Sequence, residues 1–540
     1  MTGKRALLRC CDASGCRSVG SSALLKALET ARDGLGLSAE EVAIRPVGCL
    51  KLCSRGPLVA ADGADGSAEL FGAVPLERAA DLVRRVAPGA GSDPSPLAAH
   101  QIDLAHPFFA LQKPVVLEGC GWVNPESIAD ALAIGTYAQF QRCLLESTPE
   151  EVREQVKRSG LRGRGGGGYP TGLKWDTVAL QPPGPRYVVC NADEGDPGAF
   201  MDRSVLESDP HRLLEGLAIA AYAVGASKGY VYVRAEYPLA IERIRLAIRQ
   251  ARHEGWLGEA IAGSTFCLSL EVRVGAGAYV CGEETALLHS IQGQRGTPRT
   301  RPPYPAQSGL WGAPTLINNV ETLAAVPAIL RQGGDWYAAM GTKGSQGTKV
   351  FALSGAVAHP GLVEVPMGTT LRTVVATMGG GVPDGSAIKA VQTGGPSGGC
   401  VPDALLDTPV DYESLLELGS MMGSGGLVVM GETTSMPGVA RHFMRFSVNE
   451  SCGKCVPCRA GTVQLLRLLD RVVEHRATPA DLEQLEQLCQ MVRRTSLCGL
   501  GQAAPNPVLS TLRHFRQEYE AACRPPSECL PTSYCALPTP

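Results

Sequence analysis

The sequence predicts a multidomain α/β protein. Three observations carry that reading: length, a long alternation of strand-like and helical stretches, and a Pro/Gly/Ser-rich break near residue 90. At roughly 100–200 residues per domain, a chain of 540 residues holds about three or four domains. Residues 1–86 read as a small α/β unit: a strand at 6–10, a helix at 21–33, short strands at 42–44 and 57–60, and a closing helix at 75–86. Residues 87–96 read as a flexible linker. Across 97–340, strand-like runs at 186–190, 229–233 and 268–274 alternate with helices, the rhythm of a sheet with crossover helices. A smaller β-rich stretch spans 347–430 and contains a strand at 361–365. From 440 to 522 the pattern is helical. Val463, Leu466, Leu469 and Val473 recur at helix spacing, and Leu482, Leu485, Leu488 and Val492 repeat it. Thr478, Pro479 and Asp481 supply a cap, a first-turn proline and a first-turn acid for that second helix. The tail, 523–540, is proline-rich.

Composition excludes several classes. With 50 Lys+Arg against 53 Asp+Glu, the chain lacks the basic surplus of a nucleic-acid binder. No window approaches eighteen uninterrupted apolar residues, so no membrane-spanning helix is expected. The stretch from Met1 to Cys11 is too short and polar for a secretory signal, and a cytoplasmic location is expected. A reducing compartment argues against pairing the 19 cysteines as disulfides, and their clustering points to metal.

The sharpest motif is Cys452-x2-Cys455-x2-Cys458 with a remote Cys498. Three thiolates spaced by two residues wrap an iron–sulfur cubane, and a fourth from a distant loop closes it. Lys454 and Arg459 offset the thiolate charge. A structural zinc site is the competing reading. Cys489, on an apolar helix face, reads as core. The second cluster is Cys11-x4-Cys16 with Cys49-x3-Cys53, each pair in a loop after a strand. Four thiolates from two loops suit a [2Fe–2S] cluster, zinc again competing. Cys10 reads as a buried thiol.

The third motif is the glycine loop from Leu161 to Gly172. Gly163, Gly165 and Gly168 satisfy G-x-G-x-x-G, but a helical stretch precedes them, so this is no ordinary dinucleotide fingerprint. Its physical content survives: backbone amides free to close on phosphates or a planar ring, with Arg162, Arg164 and Lys174 adding charge. A strand then ends in Asn191, Asp193, Glu194 and Asp196, the usual ligand edge of an open α/β sheet. Gly282, Glu283 and Glu284 precede a helix start, as do Asn318, Asn319 and Thr322. Helix-dipole acids are the plain reading of each. Together with the glycine loop they point to a nucleotide-type pocket.

In combination these segments resemble the flavoprotein subunit of respiratory NADH dehydrogenase and its relatives, the diaphorase subunits of NAD-linked hydrogenases and formate dehydrogenases. Within that family the chain is most similar to flavoproteins of NAD-reducing bidirectional nickel–iron hydrogenases. An N-terminal cluster unit is fused on, the segments 191–196 and 420–426 look like that branch, and no C-terminal ferredoxin module follows. The resemblance implies four folded parts. They are a thioredoxin-like [2Fe–2S] domain, a Rossmann-like FMN/NADH domain, a ubiquitin-like β-grasp domain with a scaffolding role, and a C-terminal helical bundle carrying a [4Fe–4S] cluster.

It also implies roles. The FMN phosphate and ribityl region would meet Gly163, Arg164, Gly165 and Lys174. The flavin would meet Asn191, Asp193, Glu194, Gly282, Glu283, Glu284, Asn318, Asn319 and Thr322. The NAD side would involve Gly166, Gly167, Tyr169, Asp196, Glu284, Arg301 and Tyr304, with Glu284 closest to a catalytic role. Respiratory members usually carry Glu at 196, Lys at 301 and Phe at 169 and 304, which leaves NAD against NADP open. Hydride passage between NAD(H) and FMN, then single electrons through the clusters, is the implied activity. The implied partners are a small iron–sulfur electron-transfer subunit and a nickel–iron hydrogenase module, or a formate dehydrogenase catalytic subunit.

Overall fold

The computed structural model describes residues 6–87 and 95–523. Part of the expected linker and all but the first residue of the expected tail, with Cys529 and Cys535, lie outside the described residues.

The first sheet has the order β2-β1-β3-β4-β5, built from β1 (Ala6–Cys11), β2 (Val42–Val47), β3 (Leu58–Asp62), β4 (Ala68–Gly72) and β5 (Gln101–Ile102). Strand β1 is central, parallel to β2 and antiparallel to β3. Its residues Ala6, Leu8 and Cys10 are buried against Leu24 and Leu28 of helix α1 (Ser21–Gly34) and Leu82, Val83 and Val86 of α2 (Ala79–Val86). Cys10 is thus the core thiol expected, and burial pushes it well up from its ordinary range. One boundary is corrected: Ile102 pairs with Leu70, so this sheet recruits chain from beyond the expected linker. A two-residue edge strand leaves no periodic signal to read.

The second sheet is wholly parallel, in the order β8-β7-β6-β9: β6 (Tyr187–Ala192), β7 (Lys228–Arg234), β8 (Ser269–Gly275) and β9 (Thr315–Asn319). Buried Val188, Val189, Cys190, Val231 and Val233 give the continuous apolar runs that a sheet covered on both faces requires. The helices flanking it include α3 (Pro149–Arg158), α4 (Thr171–Ala179), α5 (Met201–Ser208), α6 (Pro210–Val224), α7 (Glu284–Ile291) and α8 (Val320–Gln332). Helices α6 and α8 pack at backbone distance. A Cβ added at Gly216 would fall 2.0 Å from the Leu323 carbonyl oxygen.

The third sheet has the order β11-β10-β14-β12-β13, from β10 (Thr348–Gly355), β11 (Gly361–Pro366), β12 (Ile388–Thr393), β13 (Cys400–Pro402) and β14 (Gly426–Gly431). The last unit packs α9 (Met436–Glu450), α10 (Thr462–Val473), α11 (Pro479–Thr495) and α12 (Asn506–His514) around Leu465, Leu469, Leu485, Cys489 and Val508. Thr478 and Asp481 form a reciprocal capping box at the start of α11, and Cys489 is core as expected. The stripe expected on α10 is corrected by about one residue: Leu465, Leu468, Leu469 and Val472 are buried. Paired apolar residues at 465–466, 468–469 and 472–473 offer two adjacent stripes, and packing against α9 and α11 selects one.

Both larger sheets meet the N-terminal unit. The Glu207 carboxylate at the end of α5 accepts from Ser14 N (2.9 Å) and Ser14 Oγ (2.6 Å). Ser208 Oγ accepts from Cys49 N (2.8 Å), and Arg243 pairs with Asp12 (2.6 Å) at a buried contact. On the third sheet, Leu362 N donates to Lys51 O and Ser54 N to Pro360 O, covering the free edge of β11.

Candidate functional site

The C-terminal edge of the parallel sheet collects the polar loops. Gly165 backs onto Asn319, where an added Cβ would meet Asn319 Cβ at 3.1 Å. A Cβ at Gly167 would meet nothing within 4 Å, so the loop presents an open, side-chain-free face there. Gly166 bridges to Gly423, and a Cβ on Gly423 would fall 2.3 Å from Gly394 Cα. The loop is therefore seated backbone to backbone on the third sheet's connections. Asn319 caps α8 through Oδ1, which accepts from Glu321 N and Thr322 N, while Thr322 Oγ1 accepts from Arg164 N. Asn318 Oδ1 accepts from Trp175 Nε1 on α4. Lys174 Nζ donates to Ile317 O (3.2 Å) and pairs with Glu284 Oε2 (3.3 Å), while Arg301 reaches Glu284 Oε1 (3.2 Å). Glu284 is thus a partly exposed carboxylate held between two cations. Asn191 Nδ2 donates to Gly282 O, tying β6 to the turn before α7.

Several expected ligand contacts have side chains already engaged within the protein. Arg164, 1% exposed, donates to Thr348 O, Gln346 O and the Tyr337 hydroxyl, clamping the glycine loop to the third sheet. It offers a ligand its backbone, and the expected guanidinium contact with the FMN phosphate is revised. Asp193 pairs with Arg234 (2.8 Å); burial, opposed by that pairing, pushes its carboxyl up to about 7. Glu194 accepts from Asp202 N and Arg203 N, and burial raises its pKa. Asp196 is held by the Tyr279 hydroxyl (2.8 Å) and Ser424 Oγ (2.6 Å), and burial raises it too. Glu283 is the N-cap of α7, accepting from Thr285 N and Ala286 N, as its plain reading had it. Tyr169 and Tyr304 are half-exposed, with ring area free.

Two residues of this region escaped sequence reading. Asp202 is buried, its Oδ2 accepts from Asn319 Nδ2 (2.5 Å), and its Oδ1 has no protein partner. Burial and the neighbouring Glu194 and Glu321 carboxylates raise it well above the usual range. Lys349, also buried, pairs with Glu321 in the first turn of α8 and donates to Ser424 O (2.6 Å). An acid in a helix's first turn and a lysine in a strand carry no distinctive signal.

Cys452, Cys455, Cys458 and Cys498 line one small cavity with Val280, Pro298, Leu497 and Leu500. Burial pushes the Cys458 thiol up to about 11, against the Ser451 hydroxyl beside it. Val280 and Gly282 share one turn, so this cavity adjoins the polar edge. In the N-terminal unit, Cys11 contacts Cys16 and Cys49 contacts Cys53, and charges on the two pairs act on each other. Among the described residues no three His, Cys, Asp or Glu side chains are set to hold a single metal ion.

A glycine loop over a parallel-sheet edge, beside a four-cysteine cavity, defines the class of flavin- and iron–sulfur-type oxidoreductases. Residues 156–328 match the Nuo51 FMN-binding domain, 438–522 the NADH-ubiquinone oxidoreductase-F iron-sulfur binding region, and 350–401 the SLBB domain. The chain is 54% identical over 407 residues, 75% of its length and 83% of the relative's, to the NADP-reducing hydrogenase subunit HndC of Solidesulfovibrio fructosivorans. It is 46% identical to an NADH-quinone oxidoreductase flavoprotein-family chain of Rhizobium meliloti, over 76% of this chain and 97% of that one. A crystal structure of NAD+-reducing [NiFe]-hydrogenase in the H2-reduced state superposes with TM-score 0.68 at 32% identity, covering 97% of this chain and 85% of that chain. The chain belongs to the family of FMN-binding, NADH-oxidising flavoprotein subunits of complex I and the NAD(P)-linked hydrogenases. Among the described residues no helix is long and apolar enough to cross a membrane.

Proposed function

We propose that this chain is the electron-entry subunit of a cytoplasmic NAD-linked hydrogenase, exchanging hydride between NAD(H) and FMN and single electrons with a partner. The observation that carries the reading is convergence: the glycine loop, Lys174, the Glu284–Arg301 pair and Asn318–Asn319 share one sheet edge that adjoins the four-cysteine cavity. FMN, when bound, supplies the conversion between paired and single electrons. The chain's own part is binding and alignment. Amides of 163–168 and the Lys174 charge suit a phosphate. Asn191 and Asn319 hold the loops at the ring edge, Asp202 orients Asn319, and Arg301, Tyr169 and Tyr304 offer charge and ring faces to a dinucleotide. Cys452, Cys455, Cys458 and Cys498 suit a [4Fe–4S] cluster. The N-terminal unit, with a thioredoxin-like strand order and paired Cys11, Cys16, Cys49 and Cys53, suits a [2Fe–2S] cluster.

The hydrogenase relatives support a small iron–sulfur subunit and a nickel–iron hydrogenase module as partners. The NADH-quinone oxidoreductase relatives favour a second reading, a respiratory NADH dehydrogenase, and the subunits that copurify decide between them. The activity test uses FMN-replete protein and ferricyanide. NADH oxidation is expected, with FMN affinity falling about tenfold in Lys174→Ala, the size of one charge-assisted contact. Cys455→Ser should keep NADH reduction of the flavin and lose one-electron output to the copurified partner. FMN-replete protein without NADH oxidation overturns the reading.

A further inference from the structure

The four cysteines of the N-terminal unit do not face alike. Cys49 takes its backbone contact from Ser208 and so faces α5 and the flavin-side edge. Cys16 lies on the opposite side, under an open groove of about 320 Å³ lined by Val19, Gly56, Pro57, Val74 and Leu76. A Cβ added at Gly56 would stand 3.3 Å from Cys16 Sγ and 3.1 Å from Val19 Cγ2, so the groove floor is only a glycine backbone thick above that thiol. Val19 is 53% and Leu76 49% exposed, side by side on a face that covers no other part of the described chain. Within two residues of the lining, the sequence places Arg17, Arg55 and Arg78 against a single acid, Glu77.

We propose that this groove is the docking surface for a small acidic iron–sulfur electron-carrier protein, which exchanges electrons with the N-terminal cluster. The inference rests on the reading that Cys11, Cys16, Cys49 and Cys53 hold a [2Fe–2S] cluster. An apolar centre with a basic rim is the surface an acidic partner recognises, the rim steering encounter and the centre excluding water. The position over Cys16 brings the carrier's cluster close to this one, on the face away from the flavin. The balance is two reduced carriers plus NAD+ plus one proton giving two oxidised carriers plus NADH; each carrier loses one electron, and the pair leaves on NAD+ as hydride.

The test uses full-length protein loaded with FMN and iron–sulfur clusters, and a small acidic [2Fe–2S] ferredoxin as probe. Ferredoxin-driven NAD+ reduction is measured in wild type, Val19→Glu, Leu76→Glu and the control Leu180→Glu, an exposed leucine on another unit. The expected result is a KM for ferredoxin raised about tenfold in the two groove variants, by like-charge repulsion. NADH–ferricyanide activity and the [2Fe–2S] EPR signal should stay at wild-type level, and the control should match wild type. Groove variants with wild-type KM, the cluster signal being present, overturn the docking surface alone. Wild-type protein with no [2Fe–2S] signal, and the same iron content as Cys11→Ser, overturns the cluster reading and the docking surface with it.

Discussion

His211 shows how a single buried residue sets a pH response. Its Nδ1 stands 2.9 Å from the Tyr137 hydroxyl and its Nε2 3.0 Å from Gln250 Oε1, both satisfied by a neutral ring. Burial lowers its pKa from 6.5 to about 4. The unfolded chain takes up a proton below pH 6.5 that the folded chain refuses until about pH 4. Its stabilising contribution is therefore complete above pH 6.5 and is lost as pH falls towards 4, by about 3 kcal/mol. Nearby Glu215, pushed up to about 7, and Asp209, to about 6, act in the opposite direction because the folded state holds their protons. The difference between wild type and His211→Asn isolates the histidine. Thermal unfolding between pH 4 and 7 should show wild type losing stability relative to the variant as pH falls, and parallel curves would contradict this.

At the scale of elements, the glycine loop is positioned by its partners. Gly423 has φ +58°, and any Cβ there meets the Gly394 backbone, which has no flexible end to move. Gly423→Ala should cost about 2–3 kcal/mol and shift the strand-like contact to Gly166, weakening FMN binding. Gly167→Ala, with open space at its Cβ, should leave the unfolding midpoint unchanged. Calorimetry on both variants, with flavin fluorescence on the first, checks the contrast. What was legible in the sequence here follows a rule. The cysteine spacings, the polar strand ends at Asn191 and Asn319 and the capping box at Thr478 are local patterns, and the structure brings each to a shared edge, cavity or cap. Arg164 misled because its partners are backbone carbonyls at Thr348 and Gln346, and every residue has a carbonyl. Strands β4 and β5 and the buried face of α10 were hidden for a related reason: neighbours far along the chain selected them.

For the whole molecule, the ion pair of Lys349 and Glu321 joins the parallel sheet to the third sheet. Both side chains are essentially inaccessible to water. Lys349 Nζ also donates to Val350 O and Ser424 O, while Glu321 Oε1 accepts from Val350 N (2.8 Å). Glu321 begins the helix that Asn319 caps, so this one lysine fixes the flavin-side edge, β10 and the loop that seats Gly166. Burial raises the Glu321 carboxyl, and the Lys349 charge opposes that rise. Removing the cation leaves a buried acid beside Asp202 and Glu194 with no compensating charge nearer than Arg164. Lys349→Ala should therefore cost about 3–5 kcal/mol, the range for orphaning one member of a buried pair. Replacing both members removes the orphaned charge along with the pair. Lys349→Met with Glu321→Gln should then be less destabilised than Lys349→Ala alone, the introduced amide oxygen still accepting from Val350 N. Unfolding midpoints of wild type, single and double variants decide it, and a double variant as unstable as the single would show that packing, and not the unpaired charge, carries the loss.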